Sequence, residues 1–441
     1  MLIDFTCENF RSFAGSATLD LATSRLKTTL PRDGADWSHV LSPVAAIFGP
    51  NAAGKSTIID AIWSISRAIR RPGNRSIYQP YAGNDGVNRA CKYSIAYTGG
   101  DGIRYEYDLE VQRWGIAFES LYSFPRGTRR LLFTREQVDK NSTIEFKKGP
   151  SLKGPSQEVL RLTRTHMLYL ANALKYGHPG LTAAASALAS ESGVQHVSFR
   201  DKQDQQVLER VAMEMIASPS EQEDIAESLL HAADLGIENL DMKEEEIPQE
   251  VRDQMRRLVE ALKSGDEEES EDLEAIVPQV RDVVVFHHTD NKGGKFELPV
   301  SAESSGTITW LTTAWHALNA LRAGTVLIID ELDASLHPDL VRYLVSLFLN
   351  PSINVAGAQL IFTTHDINLM GNVPTRLLEP HMVWLVEKGE GGVSDLFSLD
   401  EFNNRPGNNS QKRYLSGAFG AVPEINEALL VSYLRAEDRG E

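Results

Sequence analysis

The residues best suited to chemistry lie in two distant stretches. Gly49 to Ser56 reads GPNAAGKS, the G-x-x-x-x-G-K-[ST] spacing, between an apolar run that predicts a strand (PVAAIFGP) and a helically spaced run (STIIDAIWSISRAIR). Such a loop bends its backbone N–H groups around a triphosphate, while the following helix presents its positive end to the same anion. Gly49, Asn51, Ala52, Ala53, Gly54 and Thr57 are the expected backbone contacts. Lys55 would reach the outer phosphates, and Ser56 would offer its hydroxyl to Mg²⁺. A glycine turn that merely caps a helix requires no Lys-Ser pair after it.

The second stretch, TVLIIDELDASLHP from Thr325 to Pro338, puts two carboxylates at the C-terminal tip of a buried strand, where open α/β sheets bind ligands. Asp330 would hold Mg²⁺ directly or through a water, and Glu331 would orient or deprotonate the attacking water. Adjacent acids at a strand end can also be solvated or cap the next helix; the phosphate loop upstream favours the chemical role.

An α/β framework must position both stretches. LIDFTCENF reads as an opening strand, and residues from about Ala90 to Phe146 are β-rich, with alternation in KYSIAY and RYEYDLEV. From about Ser156 to Ala275 the pattern is helical: EVLRLTRTHMLYLANALKYG, QQVLERVAMEMIA, IAESLLHAADLG and EVRDQMRRLVEALKSG. Strand character returns in VRDVVVFHH and KFELPV, then a helix over TWLTTAWHALNALRAG, then the continuous apolar strands TVLIID and QLIFTTH. Strands alternating with helices predict a parallel sheet covered on both faces. The helical middle reads as an insertion, giving segments 1–155, 156–278 and 279–441.

A chain of 441 residues can bury a large core unaided. Two cysteines, Cys7 and Cys91, exclude a disulfide framework or a multi-cysteine zinc site and fit a reducing compartment. No signal-peptide pattern opens the sequence and no run is apolar enough to span a bilayer, so a cytoplasmic protein without a membrane partner is expected. Asp201 to Ala275 holds 24 acids and 7 bases, a net of −17 that equals the formal charge of the whole chain. That segment could dock a basic partner or be a solvated face. Arg104 to Lys175 holds 13 bases and 8 acids, a mild excess that fits a solvated face better than a phosphate track.

The strand ending in Asp330-Glu331, followed by LDASLHP and a later TTH at Thr363 to His365, resembles the ABC-type ATPases of the SMC and RecF kind. The resemblance implies a P-loop ABC-type ATPase head with a parallel or mixed β core and a helical insertion. It makes Asp333 the D-loop candidate and His365 the histidine that senses the γ-phosphate, although helix capping and a strand-end role would suit these residues too. NFRSF, Asn9 to Phe13, resembles the opening of such heads and adds Arg11 to the nucleotide set. ESSGT, Glu303 to Thr307, stands where the family carries its signature motif; it implies that Ser305, Gly306 and Thr307 serve the ATP of an opposite subunit. A serine hydroxyl and a helix N-terminus can both bind phosphate. Together with RYLSGAFGAVPEI, Arg413 to Ile425, these motifs look like the RloA/AbiL-type abortive-infection ATPases, related to the ATPase of the PARIS defence system and to OLD-type heads. Asn172 is the nearest candidate for a Q-loop residue.

The resemblance implies a homodimer or higher assembly of heads, ATP and Mg²⁺ as ligands, a separate effector such as a Toprim-type nuclease, and a phage protein or DNA as trigger. The chain after His365 shows no Toprim constellation of its own. The rival is a RecF-like clamp that grips duplex DNA directly, for which long coiled-coil arms are lacking in the sequence. His287-His288 reads as an ordinary strand pair, since consecutive residues face opposite ways and no ligand partner is spaced to complete a metal site.

Overall fold

The computed structural model describes residues 1–73, 77–83, 85–189, 193–198, 211, 236–263, 280–290, 292–402 and 409–422. The chain divides into two compact units, one of Met1–Ser198, His316–Ala334 and Val341–Glu441, the other of Phe199–Trp315 and Ser335–Leu340. The sequence reading opens its insertion at residue 156 and closes it at 278; the division by contacts instead keeps 156–198 with the first unit and assigns 279–315 to the second.

The first unit contains two sheets. Strands β1 (Leu2–Phe10), β2 (Phe13–Asp20), β4 (Cys91–Thr98), β5 (Arg104–Gln112), β6 (Gly115–Ser123), β7 (Arg130–Glu136) and β8 (Glu145–Lys148) form an antiparallel sheet in the order β2-β1-β4-β5-β6-β7-β8. Alternation places Phe5, Cys7, Tyr93, Tyr107 and Leu109 on its buried face and polar residues on the other. The second sheet runs β16-β15-β3-β14-β13-β9, from β3 (Val44–Phe48), β9 (Val194–Ser198), β13 (Val326–Asp330), β14 (Gln359–Thr363), β15 (Val383–Lys388) and β16 (Ser394–Ser398). All its pairs are parallel except β15 with β16, so the fold is α/β with a mixed core. Every residue of β3, β13 and β14 is buried, as continuous apolar strands require. The helix Lys55–Arg70 buries Ile58, Ile59, Ile62, Ile65 and Ile69 in the core beside both sheets.

The second unit has an antiparallel sheet of β10 (Ile237–Glu246), β11 (Val280–Thr289) and β12 (Lys295–Pro299), with the helix Gln249–Lys263 and the first part of the helix Ser305–Ala323, as far as Trp315, among its elements. Two strands arise inside the stretch expected to be helical. VQHVS becomes β9 because it pairs with β13, and IENLDMKEEE becomes β10 because β11 offers it a full ladder; pairing overrides weak local preference in both. The expected helix 158–177 breaks into Ser156–Arg161 and Tyr169–Lys175. QQVLERVAMEMIA (apart from Val211), most of IAESLLHAADLG and GDEEESEDLE lie outside the described residues.

That break has a cause. Glu119 on β6 is fully buried and accepts from Tyr169 N at 2.7 Å, Leu170 N at 2.8 Å and the Tyr107 hydroxyl at 3.0 Å. Arg135, equally buried, lies 3.5 Å from it and donates to the carbonyls of Met167, Arg164 and Thr165. The pair thus holds the linker between the two helices and binds the first N–H groups of the second. Removing one member leaves an uncompensated buried charge, so Glu119→Ala should lower stability by about 3–5 kcal/mol. Denaturant titration should show that loss, and Arg135→Met in the same chain should recover part of it.

Candidate functional site

The parallel strands bring the chemistry to one edge. β14 lies between β3 and β13, with Thr363 opposite Ile47 and Phe362 opposite Ile329, so the C-terminal tips of all three lie side by side. The phosphate loop leaves β3, the two acids end β13, and TTH ends β14.

The loop is an anion cradle by shape. Gly49 has φ +149, and a Cβ there would meet the Val386 carbonyl oxygen at 2.3 Å; Gly54 has φ +116, and a Cβ there would meet the hydroxyls of Ser12 and Ser394 at 2.7 Å. Neither position accepts a side chain. No side chain caps the helix Lys55–Arg70, which leaves its first N–H groups to the loop's interior. The buried Lys55 ammonium donates to the carbonyls of Gly49 at 2.9 Å and Pro50 at 3.1 Å. Asn51 and Ala52 are exposed at the tip. The β15–β16 hairpin braces the outside: the Lys388 ammonium lies 3.4 Å from the Ala52 carbonyl, and the Ser394 hydroxyl donates to that of Ala53 at 2.5 Å.

Asp330 is buried, and its Oδ1 accepts from the Ser56 hydroxyl at 2.9 Å and the Thr363 hydroxyl at 2.6 Å. Thr363 also accepts from the Glu331 N–H at 2.7 Å, and Glu331 itself adopts φ 57. Asp333 accepts from the His365 N–H at 3.2 Å with each carboxylate oxygen. Partial burial and the nearby Lys55 ammonium hold the His365 imidazole below its usual value, against the opposing pull of Asp333, Glu331 and Asp330. Five residues from three separate stretches of sequence therefore share one field.

The remaining candidates are placed differently. Arg11 has its guanidinium on Asp60, one turn beyond Ser56, and donates to Gln79 Oε1 at 2.8 Å. Ser12 lies beside Thr57, with 3.4 Å between the hydroxyls. Ser305, Gly306 and Thr307 open the helix Ser305–Ala323 in the second unit. Asn172 is buried, with its amide donating to Thr163 Oγ1 at 3.1 Å. The described part of the C-terminal motif packs on itself: Arg413 lies over the Phe419 ring at 4.5 Å, and the Tyr414 hydroxyl donates to Ala421 O at 2.6 Å. Residues from 423 onward are outside the described set. Lys388 and Ser394 have no signal in the sequence, and Thr363 enters there only as the first residue of TTH, without a role of its own.

Residues 44–371, about three quarters of the chain, match the family described as AAA domain, putative AbiEii toxin, Type IV TA system. The chain belongs to this family. Its AAA domain thus takes in both the phosphate loop and the acidic strand. No curated protein matches the chain. Among solved structures, an SMC head bound to the C-winged helix domain of ScpA is 13% identical over 90% of this chain and 97% of that one, with a TM-score of 0.41. The recombination mediator protein RecF with ATP is 13% identical over 90% and 97%, with a TM-score of 0.35.

The donor set suits Mg²⁺, a hard cation that takes one or two protein oxygens and completes its shell with substrate phosphate and water. Ser56 Oγ and Asp330 would hold it. Among the described residues no group of three or more His, Cys, Asp or Glu side chains forms a competing metal site. Thr363→Val keeps the side chain's shape and removes the hydroxyl shared by Asp330 and the Glu331 N–H. It should cut Mg²⁺-supported turnover by roughly 10–100-fold, read as a higher Mg²⁺ concentration for half activity. The depressed imidazole yields a second expectation, because kcat/KM reports the free protein and kcat the bound one. The acid limb of kcat/KM should lie below the usual histidine range, whereas bound phosphate should raise the limb seen in kcat; His365→Gln should abolish both.

Proposed function

We propose that this AAA-family chain hydrolyses ATP with Mg²⁺ in the manner of SMC-like ABC heads, with each ATP held between two copies, and that its nucleotide state governs a separate effector in abortive-infection defence. The observation that carries the reading is the convergence of Lys55, Ser56, Asp330, Glu331 and His365 at one strand edge. A phosphate loop alone would support binding; the second carboxylate beside it supports hydrolysis.

In this reading Lys55 exchanges its loop carbonyls for the outer phosphates. Ser56 and Asp330 fix the metal, which supplies charge neutralisation across the phosphates when bound. Glu331 orients the attacking water and accepts its proton, while His365 reports the γ-phosphate and Asp333 holds the His365 backbone. Ser305, Gly306 and Thr307 would complete the site of the second copy. Differential γ-phosphate contacts from two heads are what would let ATP shift an open–closed equilibrium.

The surface chemistry favours effector control over a grip on duplex DNA. The outward face of the seven-stranded sheet carries Asp4, Glu8, Asp20, Glu106, Asp108 and Glu110 against Lys92, Arg104 and Arg129. Burial and the neighbouring Asp20 push the Asp4 carboxyl up to about 6. Such a face repels phosphate. A Toprim-type nuclease on another chain is the effector class proposed, with a phage protein as trigger.

Lys55→Ala should abolish ATP binding by calorimetry and, with it, protection of cells. Glu331→Gln should keep ATP binding, reduce turnover at least a hundredfold, on the order expected for loss of a general base, and accumulate ATP-dependent dimers. Normal turnover in Glu331→Gln would refute that residue's role.

A further inference from the structure

The histidine pair in VVVFHHTD is not absorbed by the site above, and its two members face different surroundings. His287 lies between Asp241 and Glu297, at 3.8 and 3.6 Å, both exposed carboxylates on the neighbouring strands. His288 points the other way. Its Nε2 donates to Glu303 Oε1 at 2.6 Å, and its ring stacks on Phe296 with centroids 5.2 Å apart. The side chains of His288 and Glu303 are only 13% and 6% exposed, so this charge-assisted bond is shielded from competing water.

Glu303 is the first residue of ESSGT. The next residue, Ser304, caps the helix Ser305–Ala323: its hydroxyl accepts from Thr307 N at 3.1 Å and bonds the Thr307 hydroxyl at 2.9 Å. Gly306 in that first turn packs so tightly that a Cβ would come within 2.9 Å of the Ser335 carbonyl. The turn is therefore fixed by its own cap, by the close backbone approach at Gly306, and by the His288 tether one residue before the cap.

We infer that His288 is a positioning residue for the Ser305–Gly306–Thr307 turn, acting through Glu303. The inference rests on the proposed function, in which that turn serves the ATP of a second copy. A displaced turn would spoil assembly and turnover without touching the phosphate loop of its own chain. Misplacement by about 1 Å is enough to cost on the order of a hundredfold in rate.

The test compares His288→Leu, His288→Gln and Glu303→Gln, with kcat measured in the otherwise unaltered chain and ATP-driven self-association measured by sedimentation in the Glu331→Gln chain. His288→Leu should lower kcat roughly tenfold to a hundredfold and raise the protein concentration needed for association. ATP affinity of the isolated protomer should stay unchanged. Gln at 288 restores an N–H donor near the position of Nε2 and should recover most of both losses, and Glu303→Gln, which keeps an acceptor without the charge, should fall between. Equal association and kcat in His288→Leu would overturn the inference, as would parallel losses of melting temperature and ATP affinity with no rescue by Gln. A Glu331→Gln parent that stays monomeric with ATP would instead bring down the reading beneath it, and the inference with it.

Discussion

One carboxylate, Asp330, ties the phosphate loop to the acidic strand. Its Oδ1 accepts from Ser56, on the helix that follows β3, and from Thr363, on the strand between β3 and β13. Both contacts need parallel strands that end level. A one-residue slip of β14 would turn Thr363 to the other face and put a different side chain between the loop and the acid. The continuous burial of β3, β13 and β14 is thus a condition of the chemistry as well as of stability, since a register this demanding is held by core packing on both faces.

The loop depends on a second constraint, close approach from outside. Val386 O occupies the space a Cβ at Gly49 would need, and Ser12 and Ser394 do the same at Gly54. These neighbours come from β15, β16 and the β1–β2 turn, so the antiparallel sheet and the last hairpin jointly set the curvature of the loop. Ser394 N donates to Ser12 O at 2.8 Å, which joins those two braces to each other. A glycine turn free in solvent could open and close; one clamped on its outer side keeps its N–H groups aimed inward before any anion arrives.

What the sequence made legible follows from how local each signal is. The strand β3, the loop and the helix after it are specified within about thirty residues, as are β13 with its two acids, so pattern and spacing suffice. β9 and β10 were missed because neither is a strand on its own account: VQHVS is held by β13, and IENLDMKEEE is a charged run held by β11. The site divides in the same way. Lys55, Ser56, Asp330 and Glu331 were readable from type and spacing, whereas Thr363, Lys388 and Ser394 matter through contacts across 33, 336 and 341 residues. Glu119 and Arg135 gave no sign either, since their partners are mainly backbone groups of a loop that exists only once the fold has formed.

Glu331 shows how such non-local contacts are used. At φ 57 it occupies a region that a bulky residue enters at a cost of order 1–3 kcal/mol. Glycine would relieve the strain but would carry no carboxylate. The structure instead holds the conformation from outside: the Glu331 N–H is bound by the Thr363 hydroxyl, and the Leu332 N–H by the Thr363 carbonyl at 3.0 Å. One threonine therefore serves both acids, accepting from the backbone of Glu331 while donating to the side chain of Asp330. The local rule is broken at the first residue past the strand, and the restoring contacts come from the neighbouring strand. Strain at this position, together with its outside support, distinguishes Glu331 from an acid that merely ends a strand.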